Sequence, residues 1–325
     1  MSEPRAATDV DGRFLARVGA EGAVLLADLD ALPPVSRQVH GLAAEAVLPG
    51  GRPGTFIVLG RGRAAVVEWH DDGVHTGAEA ELPAGTRAVA ADGPRIVAAT
   101  DRALLGHDGG WSVLRPLAAA PLLLARQARR RSLLLLTEDG TVIGGAVDPA
   151  RAGTHRDPSW AGAAVCAYDE TLGAVWLAHP GGRAEAVLAR VEPWPPRAVY
   201  RVPMPLGVEG LTVSHNGEWL AVRRGPGADG LELYNVAGRR VFRPPLSGLD
   251  GRIEVAFTYD NRLAAVDARD RVVVVELPAR VDVRAEHRDL ADLEVFWEGR
   301  MEKAARVRKA NGGRRARAAA AEGAR

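Results

Sequence analysis

Cysteine, lysine and long apolar runs are what this chain has little of. The single Cys166 rules out an intrachain disulfide framework and any cysteine-based zinc site. A reducing, cytoplasmic setting is therefore expected, with Cys166 a small buried hydrophobe in the strand-like run Ala163–Ala167. Lysine occurs only at Lys303 and Lys309, so 40 of the 42 basic residues are arginine. With isoleucine scarce and alanine abundant, that bias points to a GC-rich genome and carries no functional message. The most apolar stretch, Pro116 to Ala125, is ten residues long with two prolines. A membrane helix needs about twenty, so no membrane insertion is expected. No apolar segment follows Met1–Arg5 that would serve as a signal peptide.

Motifs for common chemistries are also missing. Ser36, Ser112, Ser132, Ser159, Ser214 and Ser247 sit in no glycine-flanked nucleophile elbow. The run Gly50-Gly51-Arg52-Pro53-Gly54 does not follow a strand and open a helix, so it is no phosphate loop. Among the histidines, His70 and His75 alone approach metal-ligand spacing, across the turn Asp71-Asp72-Gly73. A polar hairpin tip explains that pattern more simply. No catalytic, cofactor or metal site is assigned.

What the chain does have is a repeat. A strand-like run, a tight polar turn and a second run centred on bulky aliphatics return seven times, at Leu26, Val67, Leu105, Ile143, Leu188, Leu233 and Val275. The steps are 41, 38, 38, 45, 45 and 42 residues. Four short strands fit in a period near forty, the spacing of a β-propeller. The clearest copy reads as strands at 211–213, 219–222, 231–234 and 240–242, with His215-Asn216-Gly217 as the first turn. Asn-Gly and Asp-Gly tolerate positive φ, which tight hairpin loops require. Asp92-Gly93 and Asp11-Gly12 hold the same place in other copies, so the first repeat is expected to be whole, with an inner strand around residues 5–10. Helix fails as the competing reading because Gly, Pro or Asp-Gly interrupts the apolar runs every five to ten residues.

The expected fold is thus all-β: a seven-bladed β-propeller of four-stranded antiparallel blades over residues 1–285. A C-terminal helix is predicted over 286–311 and a disordered basic tail over 312–325. Leu290, Leu293, Trp297, Met301, Ala304 and Val307 recur at helical steps of three and four. From Arg300 onward nine Lys/Arg stand against Glu302 and Glu322, net +7 on 26 residues. The remaining 33 basic and 39 acidic groups leave the propeller at −6.

Order along the chain places the turns joining second to third strands on one face of the ring. That face collects Arg61, Arg63, Arg102, Arg183, Arg223, Arg224, Arg269 and Arg271, with Glu21, Asp101, Glu138, Asp139, Asp229, Asp267 and Asp270 among them. It is a mixed polar surface suited to protein docking. Trp297, Arg306, Arg308, Lys309, Arg314, Arg315 and Arg317 form a second candidate contact, for protein or, through phosphate attraction, nucleic acid. The cluster Arg126, Arg129, Arg130 and Arg131 falls on a turn of the opposite face and reads as a solvated hairpin.

Two segments carry a resemblance. Ser214-His215-Asn216-Gly217-Glu218-Trp219-Leu220-Ala221 resembles the Ser-Pro-Asp-Gly segment of bacterial WD-repeat propellers, and Leu136-Thr137-Glu138-Asp139-Gly140-Thr141-Val142 resembles their Asp-Gly-Thr-Val turn. No repeat ends in Trp-Asp. The resemblance implies a non-catalytic scaffold in a bacterial multiprotein assembly, monomeric apart from its partners. The alternative is a metal-dependent, lactonase-like hydrolase using channel carboxylates from Glu45, Asp92, Asp169, Glu209 and Glu254. Three or more converging carboxylates in the channel would favour the enzyme, and a plug of Val, Ala and Leu would exclude it.

Overall fold

The computed structural model describes residues 4–277, except 32–34, 128–131, 149–151, 164, 170–172, 180–184, 192–195, 204–206, 216, 226–229, 236–239, 259–261, 268 and 270. All regular structure there is β apart from 3-10 turns at Ala20–Gly22 and Pro158–Trp160. Each repeat folds into an antiparallel meander whose strands lie side by side in chain order.

The first meander is β1 (Ala6–Thr8), β2 (Phe14–Val18), β3 (Val24–Asp28) and β4 (Val35–Val39). The second is β5 (Ala46–Pro49), β6 (Thr55–Gly60), β7 (Arg63–His70) and β8 (Gly73–Glu81), and the third β9 (Thr86–Asp92), β10 (Arg95–Thr100), β11 (Ala103–His107) and β12 (Trp111–Pro116). The fourth holds β13 (Pro121–Gln127), β14 (Ser132–Thr137), β15 (Thr141–Gly144) and β16 (Gly153–Arg156). The fifth holds β17 (Val165–Asp169), β18 (Ala174–Ala178), β19 (Glu185–Arg190) and β20 (Arg197–Pro203). In the sixth come β21 (Gly210–Val213), β22 (Trp219–Arg223), β23 (Leu231–Asn235) and β24 (Arg240–Phe242). The last repeat gives only β25 (Glu254–Phe257), β26 (Arg262–Val266) and β27 (Val272–Glu276).

The expectation of seven four-stranded blades is corrected by this count. Among the described residues six blades are complete, and the seventh repeat gives a three-stranded sheet. The predicted helix is corrected likewise: no α-helix occurs among the described residues, and 286–311 lies outside them, as does the tail. Outer strands explain the miscount. Strand β4 carries Val35-Ser36-Arg37-Gln38-Val39, largely exposed, so an outer strand leaves little periodic signal. In the last repeat only the period suggests a fourth strand, and the residues after Leu277 lie outside those described.

The aliphatic centres fare better. All seven fall in third strands: Leu26 in β3, Val67 in β7, Leu105 in β11, Ile143 in β15, Leu188 in β19, Leu233 in β23 and Val275 in β27. Each lies opposite a second-strand residue, Leu26 across from Ala16 and Leu233 across from Ala221. Second strands are buried almost throughout because neighbouring sheets cover both faces, and third strands only in part: β23 is buried from end to end, whereas β27 exposes Val272 and Val274. Strand β14, for example, is Ser-Leu-Leu-Leu-Leu-Thr and buried throughout. Its leucines serve two junctions, Leu134 and Leu136 packing toward the fifth repeat and Leu133 and Leu135 toward the third. That double burial is why these strands read as continuous apolar runs rather than as alternation.

Inner strands β1, β5, β9, β13, β17, β21 and β25 pack in that order around a channel, and β25 returns to β1. Identical connectivity makes them all run the same way. Two mouths follow: a proximal one where inner strands begin and second-to-third turns lie, and a distal one where inner strands end.

Candidate functional site

The channel encloses about 1410 Å³. Its wall is largely apolar, with Ala88, Leu122, Val165, Leu211 and Val255 contributed by successive inner strands. Carboxylates occupy its ends. Of the expected candidates, Asp169, Glu209 and Glu254 line the channel, whereas Glu45 and Asp92 do not. Glu254 opens β25 and Glu209 precedes β21, so both belong to the proximal mouth; Asp169 closes β17 at the distal one. A five-residue strand separates the two levels by roughly 15 Å, too far for one ion to bridge. Arg252 holds Glu254 at 2.6 Å, and Arg223 holds Glu209 at 3.2 Å. Among the described residues no three His, Cys, Asp or Glu side chains are grouped to hold a metal.

At the distal mouth sequence reasoning missed a buried carboxylate. Asp9 is fully buried and accepts the amide N–H of Phe14 and of Gly54, each at 2.9 Å. Burial raises its proton affinity, the two amides oppose that rise, and nearby Asp11 reinforces it. Gly54 belongs to the second repeat, so Asp9 ties two sheets together. Also missed was the contact of Thr8 with His215 at 3.0 Å, 207 residues apart in sequence. No local pattern announces such a pair.

The proximal mouth is organised turn by turn around buried acceptors. Asp267 takes the amide N–H of Arg269 (2.8 Å), Arg271 (2.9 Å) and Asp250 (3.1 Å), together with Arg271 Nε at 2.7 Å. Burial would raise its pKa, but these donors overcome that and hold it at about 2. Asp139 accepts from the Thr137 hydroxyl at 2.7 Å and the Thr141 hydroxyl at 3.0 Å, and Arg156 lies 3.3 Å away. Its pKa is lowered because those donors outweigh its burial. In the third repeat Thr100 does the same job with a hydroxyl, accepting the amide N–H of Ala103 at 3.1 Å. These aspartates lock turns and leave no free base.

The structure therefore distributes the predicted arginines around one mouth without bringing them together. Arg61 and Arg102 are exposed on second-to-third turns, Arg61 with φ of 50°, and neither has an ion pair among the described residues. Arg63 pairs with Glu79 at 2.8 Å, Arg269 with Asp250 at 3.1 Å and Arg271 with Asp267 at 2.6 Å. Arg223 is buried against Glu209. Arg224 reaches buried Glu232 at 2.8 Å, where Arg243 (3.0 Å) and the Tyr234 hydroxyl (3.1 Å) also donate. Burial opposes the charge on Glu232, yet these donors lower its pKa; burial and the Glu232 charge push Tyr234 up to about 12. Arg183, Trp297, Arg306, Arg308, Lys309, Arg314, Arg315 and Arg317 lie outside the described residues.

Two remaining features resolve plainly. The His70 and His75 rings meet edge to face at 4.6 Å, each with its own carboxylate: Glu68 at 3.3 Å and Asp72 at 3.1 Å. Their tip is a polar turn, further held by Arg37, which donates to the carbonyls of His70 and Asp71. Cys166 lines the channel half-buried, and burial pushes its thiol to about 12, far from thiolate reactivity. No helix among the described residues is long and apolar enough to cross a membrane.

No protein-family model matches the chain, and no curated protein matches it. Solved structures do. A chain of the "Crystal Structure of Mitotic Checkpoint Complex" superposes with a TM-score of 0.61 at 12% identity, over 85% of this chain and 87% of that one. The β-propeller domain of Myceliophteria thermophila Cps50 (Swd1) gives a TM-score of 0.64 at 12% identity, over 86% and 97%. At such identity the likeness is one of fold: this chain is a β-propeller built like theirs.

Proposed function

We propose that the protein is a non-catalytic, WD-repeat-like interaction scaffold that docks a protein partner on its proximal mouth. The observation that carries this reading is the construction of that mouth. Arg61, Arg102 and Arg269 stand exposed on turns whose backbones are fixed by tight φ or by buried acceptors. Charged side chains on rigid supports lose little entropy on binding and give orientation-specific contacts. Analogy agrees, since one of the similar chains comes from a multiprotein complex. Among the candidate channel carboxylates, Glu209 and Glu254 at the proximal mouth are engaged by arginines and Asp169 stands apart at the distal one, which favours a scaffold over an enzyme. In this reading the +7 C-terminal segment with Trp297 makes a second contact, and the setting is cytoplasmic.

The test is affinity capture with the full-length chain, a chain ending at residue 288, and the full-length triple variant R61E/R102E/R269E. A partner lost with the triple variant, whose fold is checked by circular dichroism, supports docking at the proximal mouth. A partner lost only on truncation moves the contact to the C-terminal segment, and a nuclease-sensitive one makes that segment a nucleic-acid contact. Capture by all three proteins alike, or by none, overturns the reading.

A further inference from the structure

The first repeat is bound unequally on its two flanks. Toward the second repeat the ties are backbone: Val47 donates its N–H to Pro4 at 2.9 Å and Ala44 to Gly22 at 2.8 Å, and Gly54 binds Asp9. A large apolar cluster including Phe14, Leu26 and Phe56 fills the space between. Toward the last repeat the apolar contact among the described residues is Leu15, Ala256 and Ala264, with Leu29 against them. There a polar side-chain clasp supplements packing. The Thr8 hydroxyl donates to the Phe257 carbonyl at 2.8 Å and lies 3.0 Å from His215 Nε2. A hydroxyl has one proton, and with that proton on the Phe257 carbonyl the contact calls for the neutral His215 tautomer protonated on Nε2, whose ring also lies against the same carbonyl. The clasp joins three sectors: Thr8 from the first repeat, Phe257 from the last, and His215 from the one before it.

We propose that the seam between β25 and β1 is the opening point of the ring, and that protonation of His215 releases it. The clasp uses one N–H of a neutral imidazole. A second proton places a full charge deep in the molecule, although part of the ring faces the channel. Burial pushes the proton affinity of His215 below its ordinary value of 6.5, with the Phe257 carbonyl and Asp11 only partly offsetting it. With the seam open the ring meets water and regains that ordinary value. Closure is therefore favoured fully above about pH 6.5 and weakens as the pH falls below it. Among the charged groups on surrounding elements, Asp11 acts on the imidazole. Asp9 and Arg13 share its turn, Asp169 ends the preceding inner strand and Arg262 begins β26. Opening in mild acid would uncover the channel wall and the Leu15–Ala256 contact while each sheet keeps its own hydrogen bonds.

Thiol labelling of the full-length chain in a C166S background tests this. A256C places a probe in the seam, and A99C places one in the buried junction between the third and fourth repeats. A dipyridyl disulfide that reacts in mild acid reads both, normalised to a free cysteine peptide. Between pH 6.0 and 5.0 the rate at A256C is expected to rise about tenfold, the limit for one coupled proton, with A99C unchanged. His215→Gln, which keeps a neutral N–H donor, should abolish the rise. A flat rate at A256C, a parallel rise at A99C, or an undiminished rise in His215→Gln overturns the proposal. Should His215→Gln fail to fold, the contrast between A256C and A99C with His215 intact decides alone.

Discussion

Between the sixth repeat and the last, Trp219, Phe257, Leu263 and eight further buried apolar side chains interlock. Between the last repeat and the first, the corresponding cluster among the described residues buries Leu15, Ala256 and Ala264. Burial stabilises roughly in proportion to apolar area, so the two junctions differ several-fold in cohesion. One joins consecutive segments of chain; the other joins the two ends of the repeat array. The difference teaches that ring closure depends on a few polar contacts, whereas the junctions inside the array rest on close packing.

Removing a large side chain on each side of that comparison gives the strongest contrast. Trp219→Ala, at a fully buried ring, is expected to cost about 3–5 kcal/mol, as large aromatic truncations in cores do. Leu15→Ala, in the small cluster, should cost about 2 kcal/mol, the low end for leucine. Chemical denaturation of both variants measures the pair. Equal losses would show that the seam is packed as firmly as the interior junction.

A second contrast concerns buried charge away from the seam. Glu232 collects two guanidinium groups and a phenol. Glu232→Gln keeps the shape but removes the charge that assists those bonds, and should cost about 1–2 kcal/mol by the same measurement. A neutral outcome would mean that desolvation already cancels the attraction.

The acid response separates the carboxylate-locked turns from the His215 clasp. Asp267 ionises at about 2 in the folded chain against an ordinary 3.8. Its contribution is complete above pH 3.8 and is lost as the pH falls from there through 2. Asp267→Asn should lower stability at pH 7 and flatten the loss across that window. Such a window lies well below the one in which His215 acts. Unfolding midpoints measured from pH 7 to 2 would therefore show two separate steps, the upper removed by His215→Gln and the lower by Asp267→Asn.

How much of this was legible in the sequence follows the same division. The interior junctions are legible because all seven aliphatic centres sit in third strands paired with second strands that are largely buried. Leu231-Glu232-Leu233-Tyr234 and Trp219-Leu220-Ala221-Val222 could be placed residue by residue because each is flanked by turn chemistry. Outer strands were another matter: exposed residues such as Ser36 and Gln38 carry no apolar period, so an outer strand cannot be counted from the pattern alone. The described arginines lie at or beside second-to-third turns, on the mouth that connectivity gives them; Arg183 lies outside the described residues. Their partners were not foreseen, because Arg63 meets Glu79 and Arg224 meets Glu232 through cross-strand register rather than local spacing. The seam was least visible of all, since Thr8, His215 and Phe257 are brought together only by closing the ring.

The smallest expected effect bears most directly on that closure. Thr8→Val keeps the volume of the side chain but deletes the oxygen that accepts from His215 and the proton that goes to Phe257. A single hydrogen bond is worth about 1 kcal/mol net, so global stability should fall by about that much. The loss should also be local. With the Thr8 oxygen gone the imidazole loses one of its partners, keeping the Phe257 carbonyl beside it, and the neutral ring loses part of its advantage over the charged one. Labelling at A256C in the C166S background should then be faster at pH 7 than with Thr8 intact and depend less on pH. Thr8→Ser, which restores the hydroxyl, should return both the rate and its pH dependence toward the original. If Thr8→Val lowers stability but leaves the labelling rate at A256C unchanged, the hydroxyl stabilises the first repeat without closing the ring, and the seam must be held by Leu15 and its two alanine neighbours.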